Sequence, residues 1–453
     1  MADTTLLAAF AVFLLWLALI WYCFVYGVAL FGSIIIFRRR DPSSGQEERR
    51  TCTEGVTILR PLKGIDTDME LCLESSFHQV YTGPFEIIFC VEREGDAAIA
   101  VAESLIRRYP DVNARVLVSP EPEKYGANPK INNLAKGFVA AKYDIIWVQD
   151  SNTWVAPGTL QRSADRIVLD GARVVHHLPM SVSLDSGWRT GSALDEMFML
   201  TAHAKMYSAI NALAVDACVM GKSNMYRRSV IDAAVAHKLS QQSTSSQIDP
   251  SNRNKFSSKG HGIRHFAQYI AEDNMIAQCI WNHAISQGVK RSNITALTSD
   301  SVVQPLSGFS VKGYCDRRIR WLRVRRFMVY VATLIEPTTE CFVAGAIGSL
   351  LVRTVFGVSP FLWFLLHITT WCAIDWFTFH RLMEFRNMDQ VPGFVVLDAN
   401  KRRARFSHWL KTWLLREGLA LPIWVVAMCG YTIYWRNRPF KILPDMSTVE
   451  IHQ

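Results

Sequence analysis

The chain has 453 residues, of which 50% are hydrophobic, 20% are charged and 11% are aromatic. A disordered chain has few aromatic residues, so this composition excludes disorder as the dominant state. A mean hydropathy of +0.10 excludes a transporter made mostly of membrane helices, unless the apolar residues are very unevenly spread. The 10 cysteines contain no C-x-x-C pair, which argues against a zinc ribbon and a small disulfide-stabilised domain. The net charge is +9, and its meaning depends on where the basic residues lie.

The first 40 residues predict a membrane anchor. Residues 6–37 are almost all apolar and carry no charge, and three arginines, Arg38 to Arg40, follow them. About 20 apolar residues in a helix cross the ~30 Å hydrocarbon layer. The run lacks a short apolar region followed by a small-residue cleavage site, so an uncleaved anchor at 1–40 is favoured over a removed signal peptide. The arginines predict that the segment after the anchor lies in the cytosol.

A second apolar region begins near Phe327 and predicts C-terminal membrane helices within 339–436. The segments that fit are 340–356, 358–379 and 419–435. The third contains Pro422 and either spans the membrane or is re-entrant. The intervening loop, 380–415, is basic and predicted to be cytosolic, and residues 437–453 form a tail. Asp375 lies inside a predicted span, either as a functional group or bonded to a Trp or backbone group in the helix bundle.

Between the apolar regions, residues 41–315 have the composition of one soluble α/β domain. Strand-like apolar segments alternate with helix-like segments of about 10 to 15 residues. The predicted strands are at 55–64, 85–91, 114–118 and 144–150. The predicted helices are at 69–79, 96–109 and 131–141. This alternation predicts a mostly parallel sheet with helices on both faces, in which ligands bind at the carboxyl ends of the strands.

Polar residues follow several of these strands. Asp150 ends one apolar strand, and Asn152 follows two residues later. Their oxygens either hold a divalent cation against a diphosphate or cap the turn after the strand. Asp96 comes after the strand at 85–91, either as a ligand-binding residue or as the N-cap of the next helix.

Two further carboxylates, Glu272 and Asp273, begin an apolar-periodic helix. Acidic residues are favoured in the first turn of a helix for electrostatic reasons alone. A carboxylate here is also a candidate general base that takes a proton from an acceptor hydroxyl. The pair therefore has a structural and a catalytic interpretation.

Six arginines lie within residues 317–326, directly before the second apolar region. Arg317, Arg320 and Trp321 fall on one helical face by the i, i+3, i+4 spacing. Arginine pairs well with diphosphate oxygens, and a tryptophan ring suits a sugar or the acceptor. The remaining arginines are expected to face anionic lipid headgroups, in an amphipathic interface helix at 316–338. A basic stripe without a catalytic role would explain the remaining arginines. It would not explain why Arg317, Arg320 and Trp321 share one helical face.

The order of these features resembles the inverting GT-A glycosyltransferases of membranes, and more closely glycosyltransferase family 21, the ceramide glucosyltransferases. The segments that carry this resemblance are 60–64, 128–134, 142–147, 266–273 and 336–343. The similarity covers about 55 to 433, nearly the whole chain. It implies an α/β fold of GT-A type with one N-terminal and two to three C-terminal membrane helices. It also implies transfer of glucose from UDP-glucose to the primary hydroxyl of ceramide with inversion, supported by Mg²⁺ or Mn²⁺.

On this resemblance, one set of residues holds the nucleotide of the donor. Pro61, Lys63 and Gly64 belong to the loop that holds the uridine and its ribose. Asp96 closes over the base. Lys63 lies near a phosphate as a point charge.

A second set lines the rest of the cleft. Asn128 and Lys130 lie on its nucleotide side, with Glu272 among the substrate-binding residues. His203 matches a family position linked to the active site, and Cys218 matches a cysteine near the nucleotide. For both, a packed and buried side chain is the alternative interpretation.

The reacting atoms are assigned to a third set. Asp150 ligates the metal. Asn152 stands where many GT-A enzymes have a second Asp, so it is expected to be a weaker ligand than Asp150. Asp273 is the base that deprotonates ceramide. The group Arg317, Arg320 and Trp321 stabilises the leaving diphosphate and covers the site.

The chain departs from the shorter animal-type pattern at 239–262, a polar segment predicted to be a flexible insertion or a lid over the nucleotide. A processive or other lipid-linked hexosyltransferase and an inactive lipid-binding scaffold are the rival functions. The predicted location is the Golgi membrane, or that of the ER, with the catalytic domain on the cytosolic face. The predicted partners are UDP-glucose, ceramide and membrane lipid, with no nucleic acid; the oligomeric state stays open.

Overall fold

The computed structural model describes residues 2–39, 50–119, 124–242, 256, 258–396, 406–435 and 438–451. The strands of its larger sheet are β1 (Val56–Leu62), β2 (Phe85–Val91), β3 (Ala114–Val118), β4 (Ile145–Gln149), β5 (Val174–Ser183), β6 (Ser223–Arg227) and β7 (Thr295–Leu306). They lie in the order β3-β2-β1-β4-β6-β5-β7. Neighbouring strands are parallel except around β6, which is antiparallel to β4 and to β5. The predicted mostly parallel sheet is confirmed.

Helices cover both faces of this sheet. They are α1 (Ala2–Phe37), α2 (Met69–Glu74), α3 (Ala97–Arg108), α4 (Pro129–Ala140), α5 (Thr159–Val168), α6 (Gly191–Phe198), α7 (Ala204–Leu213), α8 (Arg228–Gln242) and α9 (Glu272–Ser286). In β1, Ile58 belongs to the apolar cluster that includes α3 and α5, whereas Leu59 belongs to the cluster that includes α4, α8 and α9. Successive side chains of a strand point to opposite faces, so a strand buried on both is apolar throughout.

The predicted elements of this domain shift by only a few residues at their ends, with one exception. The helix predicted at 69–79 ends at Glu74. The buried guanidinium of Arg60 donates to the carbonyl oxygen of Cys72 at 2.6 Å. The amide of Ser76 instead bonds the carbonyl of Leu73, so the chain turns away from the α-helical path.

After β7, the described residues contain six further α-helices. They are α10 (Val311–Met328), α11 (Tyr330–Ile335), α12 (Cys341–Phe356), α13 (Pro360–Met383), α14 (Gly393–Val396) and α15 (Phe406–Met428). Within the described ranges, Ala9–Phe37 of α1 and the whole of α13 are long and apolar enough to cross a membrane. Tyr330–Thr339 and α12 meet at an angle of 76° and form either a broken span or a re-entrant loop. The chain thus has one N-terminal and one or two C-terminal apolar helices that could span a membrane.

The membrane segment predicted at 419–435, either spanning or re-entrant, has different bounds in the structure, and its helix is not among the described helices that are long and apolar enough to cross a membrane. α15 ends at Met428, and the chain continues into the strand β8 (Thr432–Trp435). α15 also carries the buried charges Arg416 and Glu417, which are 2.5 Å apart. An ionisable pair of this kind belongs inside a protein bundle rather than against lipid. The predicted tail contains β9 (Arg438–Ile442) and β10 (Thr448–Glu450), which form an antiparallel sheet with β8.

Asp375 joins the catalytic domain to a membrane helix. It is fully buried in α13 and forms an ion pair with Lys205 of α7. The indole Nε1 of Trp413 donates to its other oxygen at 2.9 Å. The interpretation of Asp375 as a bonded group of the helix bundle is therefore the one that the structure supports.

Three predicted boundaries take a different form in the structure. The interface helix predicted at 316–338 is interrupted at Val329, between α10 and α11. Of the insertion predicted at 239–262, the first residues extend α8 to Gln242, and residues 243–255 and 257 lie outside the described residues. Residues 397–405 of the basic loop predicted at 380–415 also lie outside them.

Candidate active site

A charged cluster lies at the carboxyl end of β4. Lys130 Nζ is 2.8 Å from Asp150 Oδ1 and 3.0 Å from Glu272 Oε1. It also donates to the carbonyl oxygen of Gly221 at 3.1 Å. On the other side, Lys222 Nζ is 3.1 Å from Asp150 Oδ2. Two ammonium groups that are far apart in the sequence thus converge on the carboxylate of Asp150.

Asn128 connects this cluster to the start of α4. Its side-chain oxygen accepts hydrogen bonds from the amides of Lys130 (2.8 Å) and Ile131 (3.2 Å), so it is the N-cap of α4. Its side-chain nitrogen donates to Glu272 Oε2 at 2.9 Å and to the carbonyl of Tyr269 at 2.7 Å. The cap therefore fixes the position of Lys130 relative to the segment that precedes α9.

The cluster holds Asp150 as a carboxylate. Burial raises the pKa of Asp150, but the ammonium groups of Lys130 and Lys222 outweigh this effect and lower its pKa to about 2. Burial lowers the pKa of Lys130, but the charges of Asp150 and Glu272 outweigh it and raise that pKa overall. The pair is therefore fully ionised at neutral pH.

Asp273 has the opposite electrostatic environment. It lies in the first turn of α9, and its Oδ1 accepts a hydrogen bond from the amide of Asn274 at 2.8 Å. Its pKa is raised to about 7, first by burial and then by the negative charge of Glu272. A carboxyl group with a pKa near the working pH suits general-base chemistry.

The backbone at Gly221 allows Asp273 to approach the cluster. A Cβ atom at Gly221 would lie 3.0 Å from Asp273 Oδ2. Glu272 and Asp273 are consecutive in a helix and point about 100° apart. Glu272 therefore faces Lys130, whereas Asp273 faces Gly221.

The nucleotide loop predicted after β1 is held by two contacts. Lys63 Nζ is 2.7 Å from Glu92 Oε2. The amide of Gly64 donates to both oxygens of Asp96, at 2.9 and 3.1 Å. Asp96 also accepts from the amide of Ala98, as the N-cap of α3. Asp96 thus caps the helix and holds the loop at once. Pro61 is half-buried within β1.

Arg317 and Trp321 share one face of α10. The guanidinium of Arg317 lies over the Trp321 ring, 4.7 Å from its centroid, and 3.4 Å from Asp195 Oδ2. Burial lowers the pKa of Lys222, and the charge of Arg317 contributes to this shift. Arg320 follows Arg317 by three residues on α10, and it donates to the carbonyl oxygen of Tyr434 at 3.4 Å. Burial, followed by the charge of Arg317, lowers the pKa of Arg320 to about 10.

Three of the arginines that are predicted to face lipid headgroups contact protein groups in the structure. Arg323 donates to the carbonyl oxygens of residues 426, 427 and 432. Arg326 donates to the carbonyl of Met428 at 2.8 Å. Arg325 pairs with Glu336 at 2.7 Å. The last carbonyls of a helix lack partners within it and attract cations, so α15 takes two of these arginines.

His203 and Cys218 are packed side chains, and both are uncharged. The His203 ring stacks on Tyr207 with centroids 5.1 Å apart, and its buried Nδ1 has no hydrogen-bond partner among the described residues. Burial, followed by the charge of Arg318, lowers the pKa of His203 to about 3, so the ring is neutral. Burial raises the pKa of Cys218 to about 11, so its thiol is protonated.

Sequence reasoning missed two basic residues of the site. Arg60 is fully buried and donates to the carbonyls of Asp150 (2.7 Å) and Thr153 (2.8 Å), which fixes the loop after β4. A charged residue inside an apolar strand is the signal that could have indicated this role. Lys222 gave no such signal, because its place depends on the pairing of β6 with β4.

A divalent cation fits the loop after β4. The described residues contain no group of three or more His, Cys, Asp or Glu side chains that could hold a metal. However, Asp150 Oδ2 and Asn152 Oδ1 each lie 3.1 Å from Lys222 Nζ, so the two predicted ligands face one cationic group. Magnesium in phosphate-binding sites is often held by one or two protein oxygens together with phosphate and water. The pair therefore fits a metal shared with a diphosphate.

Comparisons with known proteins agree with the resemblance. A ceramide glucosyltransferase from Komagataella phaffii is 44% identical over 96% of this chain and 91% of its own length. A ceramide glucosyltransferase from Candida albicans is 36% identical over 96% of this chain and 97% of its own length. Another from Pyricularia oryzae is 34% identical over 95% of this chain and 94% of its own length. A solved mannosyltransferase from Pyrobaculum calidifontis aligns over 92% of this chain and 98% of its own at 13% identity, with a TM-score of 0.41 that adds nothing to the assignment. The model for "Glycosyl transferase family 21" matches residues 16–235 and 252–448, and the chain therefore belongs to that family.

Proposed function

We propose that this chain transfers glucose from UDP-glucose to the primary hydroxyl of ceramide, with inversion at the anomeric carbon. The observation that carries this proposal is that two carboxylates with opposite electrostatics meet at the contact of Lys130 with Gly221: Asp150 pairs with Lys130, and Asp273 packs against Gly221. Asp150, with a pKa of about 2, stays charged, whereas Asp273, with a pKa of about 7, can accept a proton. Curated ceramide glucosyltransferases cover nearly the whole chain, which supports the choice of acceptor and sugar.

In the proposed reaction, Asp273 takes the proton of the ceramide hydroxyl. The oxygen then forms a bond to the anomeric carbon of glucose. The bond from that carbon to the diphosphate oxygen breaks, and its electron pair leaves with UDP. Attack opposite the leaving group in a single displacement accounts for the inversion.

The leaving UDP requires positive charge. Lys130, which pairs with Asp150, supplies part of it, and we assign the same role to Arg317, which lies over the Trp321 ring on α10, with Arg320 adjacent. Asp150 and Asn152 would hold a Mg²⁺ or Mn²⁺ ion, which supplies charge neutralisation of the diphosphate when bound. Lys63, Gly64 and Asp96 would hold the uridine, with Pro61 near the end of β1.

The position of the site suits a lipid acceptor. α1 packs directly on α7 of the catalytic domain: a Cβ atom at Gly32 would lie 2.0 Å from the carbonyl oxygen of Lys205. Lys205 in turn pairs with Asp375 of α13. The two apolar helices are thus fixed against the domain that carries Asp273. We place this domain on the cytosolic face of the membrane, as the basic residues after α1 predict, and in the Golgi or ER, as the family resemblance implies.

The test is product formation in membranes that lack the activity. The full chain is expressed there and supplied with labelled UDP-glucose, Mn²⁺ or Mg²⁺, and a fluorescent ceramide. Glucosylceramide is the expected product, with less product from UDP-galactose and UDP-N-acetylglucosamine in parallel reactions. A polymer product would support the processive alternative, and no product from any donor would support the inactive scaffold.

A further inference from the structure

The place of Lys222 follows from the one antiparallel strand in the sheet. Lys222 directly precedes β6, and Asp150 directly follows β4. Because β4 and β6 are antiparallel, the end of one lies beside the start of the other, and the amide of Asp150 donates to the carbonyl of Lys222 at 3.1 Å. The side chain of Lys222 therefore starts from a backbone position fixed beside the loop of Asp150.

The ammonium of Lys222 lies between the two candidate metal ligands. It is 3.1 Å from Asp150 Oδ2 and 3.1 Å from Asn152 Oδ1, and only 13% of its side chain is exposed. Since Lys130 is 2.8 Å from Asp150 Oδ1, both oxygens of Asp150 contact an ammonium. A divalent cation that binds Asp150 through Oδ2 has to replace Lys222 there.

Of the two ammonium groups that contact Asp150, that of Lys222 can leave more easily than that of Lys130. Lys130 keeps a second carboxylate, Glu272 at 3.0 Å, and the carbonyl of Gly221. Among the described residues, Asp150 is the only carboxylate within ion-pair distance of Lys222. An ammonium released at this position would lie beside the diphosphate that the metal shares with Asp150.

We propose that Lys222 exchanges partners during donor binding: it holds Asp150 in the free protein and moves to the diphosphate when a nucleotide enters. Lys222 is then a donor-binding residue that competes with the divalent cation for Asp150. This inference rests on the proposed function, since it takes a nucleoside diphosphate as the ligand. It predicts that loss of the ammonium affects the metal and the nucleotide in opposite directions.

The test measures two affinities of the purified full chain in detergent. Mn²⁺ binding without nucleotide is followed by the electron paramagnetic resonance signal of free Mn²⁺, and UDP binding without metal by calorimetry. For Lys222→Met we expect Mn²⁺ to bind about tenfold more tightly and UDP about tenfold more weakly. Lys222→Arg keeps the charge and is expected to keep UDP affinity within about threefold.

Two controls keep the test decisive. Lys312→Met removes a lysine that is 85% exposed on α10, and it is expected to change neither affinity. Lys222→Gln is measured in parallel, so that a folding defect of the Met variant does not end the experiment. If either affinity is unchanged in the neutral variants, or if Mn²⁺ binds more weakly, the exchange is refuted. Neither measurement needs ceramide, so failure of the exchange is distinct from failure to form glucosylceramide.

Discussion

Glu272→Gln removes the charge that contributes most to the raised pKa of Asp273, after burial. The amide keeps the size of the side chain but only one acceptor oxygen, so it accepts from either Asn128 or Lys130 and no longer from both. Lys130, whose charge lowers the pKa of Asp273, stays in place. The charge of Asp150 also raises that pKa, but by less than the charge of Glu272 does. The pKa of Asp273 is therefore expected to fall, by about one unit, which corresponds to about 1.4 kcal/mol.

The size of the effect on activity follows from the fraction of Asp273 that is ionised. With a pKa of about 7, roughly 10% of the base is ionised at pH 6 and roughly 90% at pH 8. With a pKa near 6, about half is ionised at pH 6. Since the base acts in its deprotonated form, activity rises with pH in both proteins. The activity at pH 6, relative to the plateau, is about fivefold higher in the variant.

The assay is the pH profile of kcat/KM for UDP-glucose between about pH 5 and 9, with ceramide in mixed micelles. The height of the plateau is expected to fall as well, because Lys130 loses a carboxylate partner, so the midpoint is the diagnostic quantity. Glu103→Gln, a change to an exposed carboxylate on α3, serves as the matched control and keeps the midpoint of the unmodified chain. A midpoint for Glu272→Gln that stays in place or moves to higher pH would refute the assignment of Asp273 as the base.

Three further substitutions test the rest of the site and its support. Asp150→Asn removes the common partner of two ammonium groups and is expected to lower kcat/KM at least about 100-fold and to weaken Mn²⁺ binding; near-normal values for both contradict the metal assignment. Arg60→Met removes the guanidinium that donates to the carbonyls of Asp150 and Thr153 and is expected to destabilise the chain by about 3 kcal/mol, measured by thermal unfolding in detergent. Lys205→Met leaves the buried Asp375 unpaired and is expected to cost about 3 to 5 kcal/mol, most of which Asp375→Leu in the same chain restores; a double variant no more stable than the single one contradicts the pairing.

The parts of the fold that depend on local patterns could be predicted from the sequence. The apolar strands β1, β2 and β4 were found because both of their faces are buried, which leaves a continuous apolar run. The anchor was found because lipid demands a long uncharged helix. The strand-end rule also brought Asp150 to the site, since parallel strands end at one edge of the sheet.

Contacts over long sequence distances could not be predicted in this way. The antiparallel β6 brings Lys222 to Asp150, and no local pattern marks a strand as antiparallel when its neighbours are parallel. Arg323 and Arg326 bond carbonyls about a hundred residues away at the end of α15. The charge of these arginines and their position before apolar helices indicated lipid headgroups. A guanidinium can donate to a lipid phosphate or to a backbone carbonyl, so the sequence does not distinguish the two partners.

Asp273 illustrates a third limit. The sequence placed two acidic residues at the start of a helix but did not separate their roles. In the structure, Glu272 faces Lys130 and Asn128, whereas Asp273 packs against the backbone of Gly221. Only this difference in environment distinguishes a carboxylate held charged by partners from one whose pKa lies near neutrality.

The central claim is that Asp273 deprotonates the ceramide hydroxyl for glucose transfer from UDP-glucose. Its most direct test is the rate of glucosylceramide formation by the purified full chain and by Asp273→Asn, at saturating donor and metal, with UDP affinity measured on both proteins. We expect the variant to bind UDP within about threefold of the unmodified chain and to form product at least about 1,000-fold more slowly. Undiminished product from Asp273→Asn would contradict the claim.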